Sequence, residues 1–325
     1  MILLGACAAW SLITAAAHDG RPEGVLLAVL AVAAGYAAGR ISGSLLPVAA
    51  PGAGAAAGLV LAVVVPDLTL GPRYAAPLGH SGATAALLAL ATGAACCAAW
   101  AAHGPVLRIG LRLLATGIVL AGAAVGSATG CAASAAVLLC SLAVGSMTHR
   151  GAGLVGLAVA VVVVVGTIWA LAADALPAGL TEALDSRLTA HRVQLWQDAL
   201  RMAHRDTGLG VGPGRFGELN TAASPGQPPD ARPHSAPLQQ AAEQGLVGAL
   251  LLAATFGWAL YALWRTARPT SVALTAGTAL TVLAVIASAG NALSFTAVTA
   301  GAGLLAGWAT ARPWAGDGTE HGTER

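Results

Sequence analysis

The chain has 325 residues, of which 57% are hydrophobic and only 9% charged, and its formal net charge is +2. A soluble domain carries roughly a quarter charged residues, so this composition cannot cover a water-facing surface and excludes an ordinary soluble globule. All 16 basic residues are Arg. They form no stripe outside one long polar loop, so nucleic acid is not an expected partner.

Ten apolar segments follow in chain order, near residues 2–17, 24–40, 44–65, 81–101, 106–126, 129–147, 152–173, 245–264, 271–289 and 292–310. Each approaches the roughly 20 apolar residues that a bilayer core requires. The first could pass for a signal peptide but lacks a basic leading region, which favours a membrane segment. The five cysteines, Cys7, Cys96, Cys97, Cys131 and Cys140, all fall in apolar runs without metal spacing. They read as small packing residues. With the N-terminus in the cytoplasm, the cytoplasmic turns carry Arg40, Arg108, Arg112, Arg150, Arg265, Arg268 and Arg312. The short outer turns carry only Arg21 and Arg73, the asymmetry of the positive-inside rule. The fold expected is all-α: a polytopic transmembrane bundle of about ten spans with one large extracytoplasmic loop containing short helices. Its divisions are 1–173 (membrane helices), 174–244 (loop), 245–310 (membrane helices) and 311–325 (cytoplasmic tail). The turn at 66–80 shares a side with the loop.

Polar residues capable of chemistry concentrate in that loop. Asp185 or Ser186 can cap a helix over 187–204. Leu188, Leu195, Ala199 and Met202 share one side of it, and Val193, Trp196, Leu200 and Ala203 an adjoining one. Such a helix lies along the membrane surface or packs on the bundle. Then comes Gly208-Leu209-Gly210-Val211-Gly212-Pro213-Gly214-Arg215-Phe216, where closely spaced glycines would let backbone N–H groups approach an anion. A Pro-rich stretch ends in Pro233-His234-Ser235, and 238–243 leads into the next apolar segment.

The strings Arg192-x3-Trp196-x2-Ala199-Leu200, Gly208-x-Gly210-Val211-Gly212-Pro213-Gly214-x-Phe216 and Pro233-His234-Ser235-x2-Leu238-Gln239-x3-Glu243-x-Gly245-Leu246-x-Gly248 occur in that order. Together they resemble the signature of the O-antigen ligase/polymerase family and cover about a fifth of the chain. An earlier string, Arg73-x3-Pro77-Leu78-Gly79-His80-Ser81-Gly82-Ala83, resembles the family's preceding outer-turn pattern. The sequence departs from the family at Ser235 and at Ser81-Gly82, where Asn and Pro-Asn are usual. It departs again at Ser127-Ala128-Thr129-Gly130, where Ser-Arg-Gly is frequent.

The resemblance implies a multi-pass cell-membrane enzyme that transfers or polymerises glycan on the outer face of the membrane. The donor would be a glycan on a polyprenyl diphosphate, and the acceptor a hydroxyl of a glycan, lipid or protein. Neither a cofactor nor a metal is expected: the scattered His residues have no metal spacing. The leaving diphosphate calls for guanidinium forks and the acceptor hydroxyl for a base near neutral pKa. Arg192, His234 and Arg73 are the candidate catalytic residues, and Arg215, Arg232, Ser235 and Trp196 the candidate substrate-binding ones. The structural alternatives are Arg192 paired with Asp185 or Glu182, Arg73 holding an interfacial turn, and His234 a solvated loop residue. Glu243 reads as a backbone or cap partner. Two other functions compete: a polysaccharide transporter or flippase, disfavoured by spans almost free of charge, and a catalytically degenerate relative with a binding role.

Overall fold

The computed structural model describes residues 2–64, 77–147, 149–175, 190–219 and 233–312. Among them every regular element is helical. Seven helices precede the loop: α1 (Ile2–His18), α2 (Glu23–Leu45), α3 (Ala49–Val64), α4 (Pro77–Ala101), α5 (Pro105–Ala124), α6 (Ala128–Ala143) and α7 (Arg150–Ala172). The loop contributes α8 (Ala190–Arg205) and the single turn α9 (Phe216–Leu219). Three helices follow it: α10 (Ala236–Arg265), α11 (Thr270–Ala289) and α12 (Thr296–Thr310).

Each of the ten apolar segments coincides with a helix, but six, not ten, are long and apolar enough to cross a membrane: α2, α4, α5, α7, α10 and α11. The others, α1, α3, α6 and α12, have 17, 16, 16 and 15 residues. The apolar runs exceed these helices because their turns are apolar too. Leu45 closes α2 rather than opening α3, while Val144–Ser146 and Ala292–Ser294 are separate 3-10 turns.

α4 and α11 are buried along most of their apolar length, whereas only a small share of the apolar stretches of α2, α5, α7 and α10 is buried. Exposed Leu30, Ile41, Val106, Leu113, Val162 and Leu250 mark that outer surface as one suited to lipid. The centre is mostly small: Ala83, Ala86, Ala89, Ala94 and Ala95 of α4 share one buried cluster with Ala276, Ala279 and Leu305. In lipid no hydrophobic force distinguishes a helix neighbour from an acyl chain, so close approach of small residues supplies the association. The pair α2 and α12 shows this best. Gly35, Gly39 and Gly43 recur every fourth residue on α2, against Gly303 and Gly307 on α12. A Cβ at Gly35 would overlap the Ala300 carbonyl, and one at Gly307 would lie 2.5 Å from the Tyr36 oxygen. A polar relay ties α4, α6 and α11: Trp100 Nε1 donates to Ser141 Oγ at 3.0 Å, itself 3.0 Å from Thr275 Oγ1.

The two ends of the bundle differ in charge. At the end away from the loop, Arg150 donates to the carbonyls of Trp264 (3.3 Å), Thr266 (2.7 Å) and Arg268 (3.2 Å). Arg268 in turn donates to Ala311 and Gly43 oxygens at 2.9 and 2.7 Å. These guanidiniums satisfy the carbonyls that helix C-termini leave open. Among the described residues every carboxylate lies at the opposite end, on α1–α2, α8–α10 or the end of α7.

The α2–α12 contact predicts that Gly39→Leu or Gly307→Leu lowers the thermal midpoint of detergent-purified protein by several degrees or prevents its recovery. Overpacking typically costs ~1–3 kcal/mol where side chains can shift, and here backbone stands in the way. Gly117→Ala, with nothing within 4 Å of the added methyl, should leave the midpoint unchanged.

Candidate functional site

The loop builds a small core of its own. Along α8 the apolar residues Leu195, Trp196, Ala199, Leu200 and Met202 fall at helical spacing and are buried. They pack with Leu171 and Ala172 of α7, Phe216 of α9, and Leu238 and Ala242 of α10. α8 therefore packs on the bundle. Its proposed cap, Asp185 or Ser186, lies outside the described residues.

At the end of α8 the chain turns sharply. Asp206 Oδ1 accepts from the backbone N–H groups of Gly208 and Leu209 at 3.0 and 2.9 Å, a side-chain turn typical of Asp. The glycine run then docks on a break in α10. Gly245 has φ +69°, which interrupts the helical hydrogen bonding around it. Val211 N donates to Ala242 O and Gly212 N to Glu243 O, both at 2.9 Å, while Leu246 N donates to Thr207 O at 2.9 Å. From α1, Trp10 Nε1 donates to Gln244 O at 3.0 Å. Contact is too close for side chains: a Cβ on Gly210 would lie 2.6 Å from backbone atoms of Glu243 and Gly245. The α1–α2 turn closes the other side, with Arg21 N donating to Pro213 O at 2.7 Å.

This geometry corrects the expectation of an anion nest. The N–H groups of 208–212 have backbone or Asp206 acceptors, so the glycines serve a backbone-to-backbone joint. Arg215 belongs to the same joint: its Nη1 donates to His18 O at 2.7 Å and its Nε lies 3.7 Å from Glu218 Oε2.

The remaining candidates are placed as follows. Arg192 is half-buried near the start of the described part of α8. Desolvation pushes its pKa below the ordinary arginine value, and no hydrogen bond or ion pair joins it to another described residue. Trp196, four residues on, is fully buried with its Nε1 lacking a described partner. His234 precedes α10 with φ +50°, a left-handed conformation unusual for a side-chain-bearing residue. Ser235 follows at the α10 cap position, 1% exposed, and its hydroxyl also lacks a described partner. Leu238, one turn beyond His234, sits in the cluster that holds Leu195 and Trp196. Val193 and Leu195, beside Arg192, and Leu238, beyond His234 and Ser235, thus belong to or pack on one small core. Glu243 is buried and accepts from Gln239 Nε2 at 3.2 Å, in line with a structural role. Arg73 and Arg232 lie outside the described residues.

Sequence reasoning passed over Asp198, which is buried and paired with Arg201. Its position, three after Leu195 and four before Met202, put it on the apolar face and was a usable signal. Trp10, His18 and Arg21 carried none, since their partners lie some 190 residues or more away. Among the described residues no three His, Cys, Asp or Glu side chains gather as a metal site.

These features define an all-helical membrane protein with one polar, internally packed loop unit. A family model described as O-antigen ligase matches residues 113–253, from within α5 through the break in α10. Over that stretch the chain is similar to the O-antigen ligase family, and the matched residues include Arg192, the glycine joint and His234. No curated protein and no solved structure matches it.

Gly245→Ala or Gly210→Ala should dislodge the joint, because each combines positive φ with backbone contact. Limited proteolysis should then cut near 206–216 in protein that otherwise stays intact. Gly208→Ala, whose methyl would meet only Asp206 Oδ1 at 3.5 Å, should remain as resistant as the wild type.

Proposed function

We propose that this membrane protein of O-antigen ligase/polymerase type transfers or polymerises glycan from a polyprenyl-diphosphate carrier onto an acceptor hydroxyl, at the outer face of the cell membrane. The observation that carries the proposal is Arg192: a half-buried cation with no described carboxylate, beside residues of the small core that also takes in Leu238, beyond His234. A charge withdrawn from water without a counter-charge is unfavourable in isolation. The arrangement suits an anionic ligand that completes the pair.

In the reaction, the acceptor oxygen attacks the anomeric carbon of the donor sugar. The bond from that carbon to the lipid diphosphate breaks, and the diphosphate leaves with the bonding electrons. Arg192 offers it a planar fork that matches two phosphate oxygens, so stabilisation grows as charge develops. Arg73 is the second proposed cation and Arg232 a further contact. Neutral His234 takes the proton from the acceptor hydroxyl. Ser235 Oγ and Trp196 Nε1, both lacking described partners, are proposed to bind sugar hydroxyls, and Trp196 to wall the site. Arg215 contributes by holding the glycine joint. The reading assigns no role to a metal or cofactor. The outward orientation rests on the arginines gathered at the opposite end of the bundle.

Arg192→Ala and His234→Ala should each reduce glycan transfer at least about a hundredfold, the scale of one lost charge-stabilising or acid–base group, while membrane insertion is normal. Arg192→Lys should recover little, since an ammonium cannot form the fork. Full activity in either alanine variant overturns the assignment, and loss with EDTA that added metal restores overturns the metal-free mechanism. Membrane-impermeant maleimide should label a Thr207→Cys variant in intact cells and an Arg108→Cys variant only after permeabilisation; the reverse pattern overturns the orientation.

A further inference from the structure

A cavity of about 220 Å³ opens at the end of the bundle remote from the loop, between α2, the end of α10 and the end of α12. Tyr36, Arg40, Arg265, Thr266, Thr310 and Arg312 line it. The arginines at this end divide into two kinds. Arg150 and Arg268 spend their donors on backbone carbonyls. Arg265 and Arg312 make no hydrogen bond or ion pair with described residues, and Arg40 only reaches Tyr36 Oη at 3.4 Å. Thr310 Oγ1 lies 3.3 Å from the same oxygen, while its one proton also has the nearer Ala306 O at 2.7 Å. Arg40, Arg265 and Arg312, with Tyr36, thus line a cavity whose described lining contains no carboxylate.

The surroundings indicate where this cavity lies. Tyr261 and Trp264, both about half-exposed, lie on the last turns of α10, outside the cavity lining, and Trp258 meets Tyr36 edge-on with ring centroids 5.5 Å apart. Tyr and Trp collect at the headgroup level of a bilayer. The geometry points to a binding site for the phosphate of an anionic lipid headgroup, distinct from the loop site and independent of the function assigned to it. Guanidinium forks recognise phosphate oxygens directly, and basic pockets between membrane helices favour such headgroups.

Native mass spectrometry of the full-length protein in detergent tests this with phosphatidylglycerol against phosphatidylcholine of identical chains. The wild type should retain one phosphatidylglycerol about tenfold more strongly. Arg265→Gln with Arg312→Gln should abolish that preference, Tyr36→Phe should weaken it without disturbing the fold, and Arg108→Gln, outside the cavity, should keep it. Millimolar inorganic phosphate supplies a second arm. If it displaces the lipid and raises the thermal midpoint of the wild type but not of the double variant, the phosphate site stands and free anion is its occupant. No preference in the wild type, or a preference that survives both the double substitution and Tyr36→Phe, overturns the proposal.

Discussion

The joint between the glycine turn and the broken helix α10 is the constraint from which the rest of the loop follows. A helix break inside or beside a bilayer exposes carbonyls and amides that lipid cannot satisfy, and each unbonded group costs several kcal/mol. Here Ala242, Glu243 and Gln244 carbonyls receive Val211, Gly212 and Trp10 donors, and Leu246 N finds Thr207 O. The break is tolerated because another backbone has come close enough to replace the lost helical bonds. That proximity requires glycine on both sides, at Gly210 and Gly245. Once made, the joint fixes the direction in which the first turns of α10 leave the bundle. With it go the seat of α8 and the position of His234 and Ser235.

One signature therefore holds two kinds of residue. Gly210, Gly212, Gly245, Phe216 and Arg215 have their contacts within the protein. Arg192, Ser235 and Trp196 retain groups that the described protein does not engage. Buried polar atoms are nearly always paired in folded proteins. Two such buried atoms, Trp196 Nε1 and Ser235 Oγ, lie at or near this small core, and Gln244 Nε2 at the joint is a third among the described residues.

The helices were legible because composition alone forces them: with 9% charge, apolar segments have nowhere to go but into helices in lipid or protein. Their ends were not, since Leu45, Val144 and Ala292 are as apolar as the helices they terminate. α8 was legible for a different reason. Its period of three to four apolar residues survives in an otherwise polar loop, and the burial of Leu195, Trp196 and Ala199 follows from it. The glycine run shows the limit. Locally its spacing suits an anion equally well, and only the acceptors at 242 and 243, some thirty residues later, decide its use. Trp10 and Arg21 act on this joint from the far end of the chain, where no local pattern announces them.

Charge completes the division of labour between the two ends. At the remote end, arginines bind carbonyls where helices α2, α10 and α12 finish, and the guanidinium is well placed because a helix C-terminus presents partial negative charge. At the loop end, Arg201 has Asp198 and Arg215 has Glu218 together with a carbonyl. Arg192 alone among the half-buried arginines of the described loop has neither. Arginine does not release its proton in proteins, so burial leaves Arg192 a cation whose solvation is incomplete. In the proposed mechanism such a group, with no counter-charge among the described residues, gains most from a doubly charged ligand oriented toward it. That differential, rather than tight binding of the whole substrate, favours a leaving group whose charge grows during reaction, and it is why Arg192 rather than Arg215 carries the proposed chemistry.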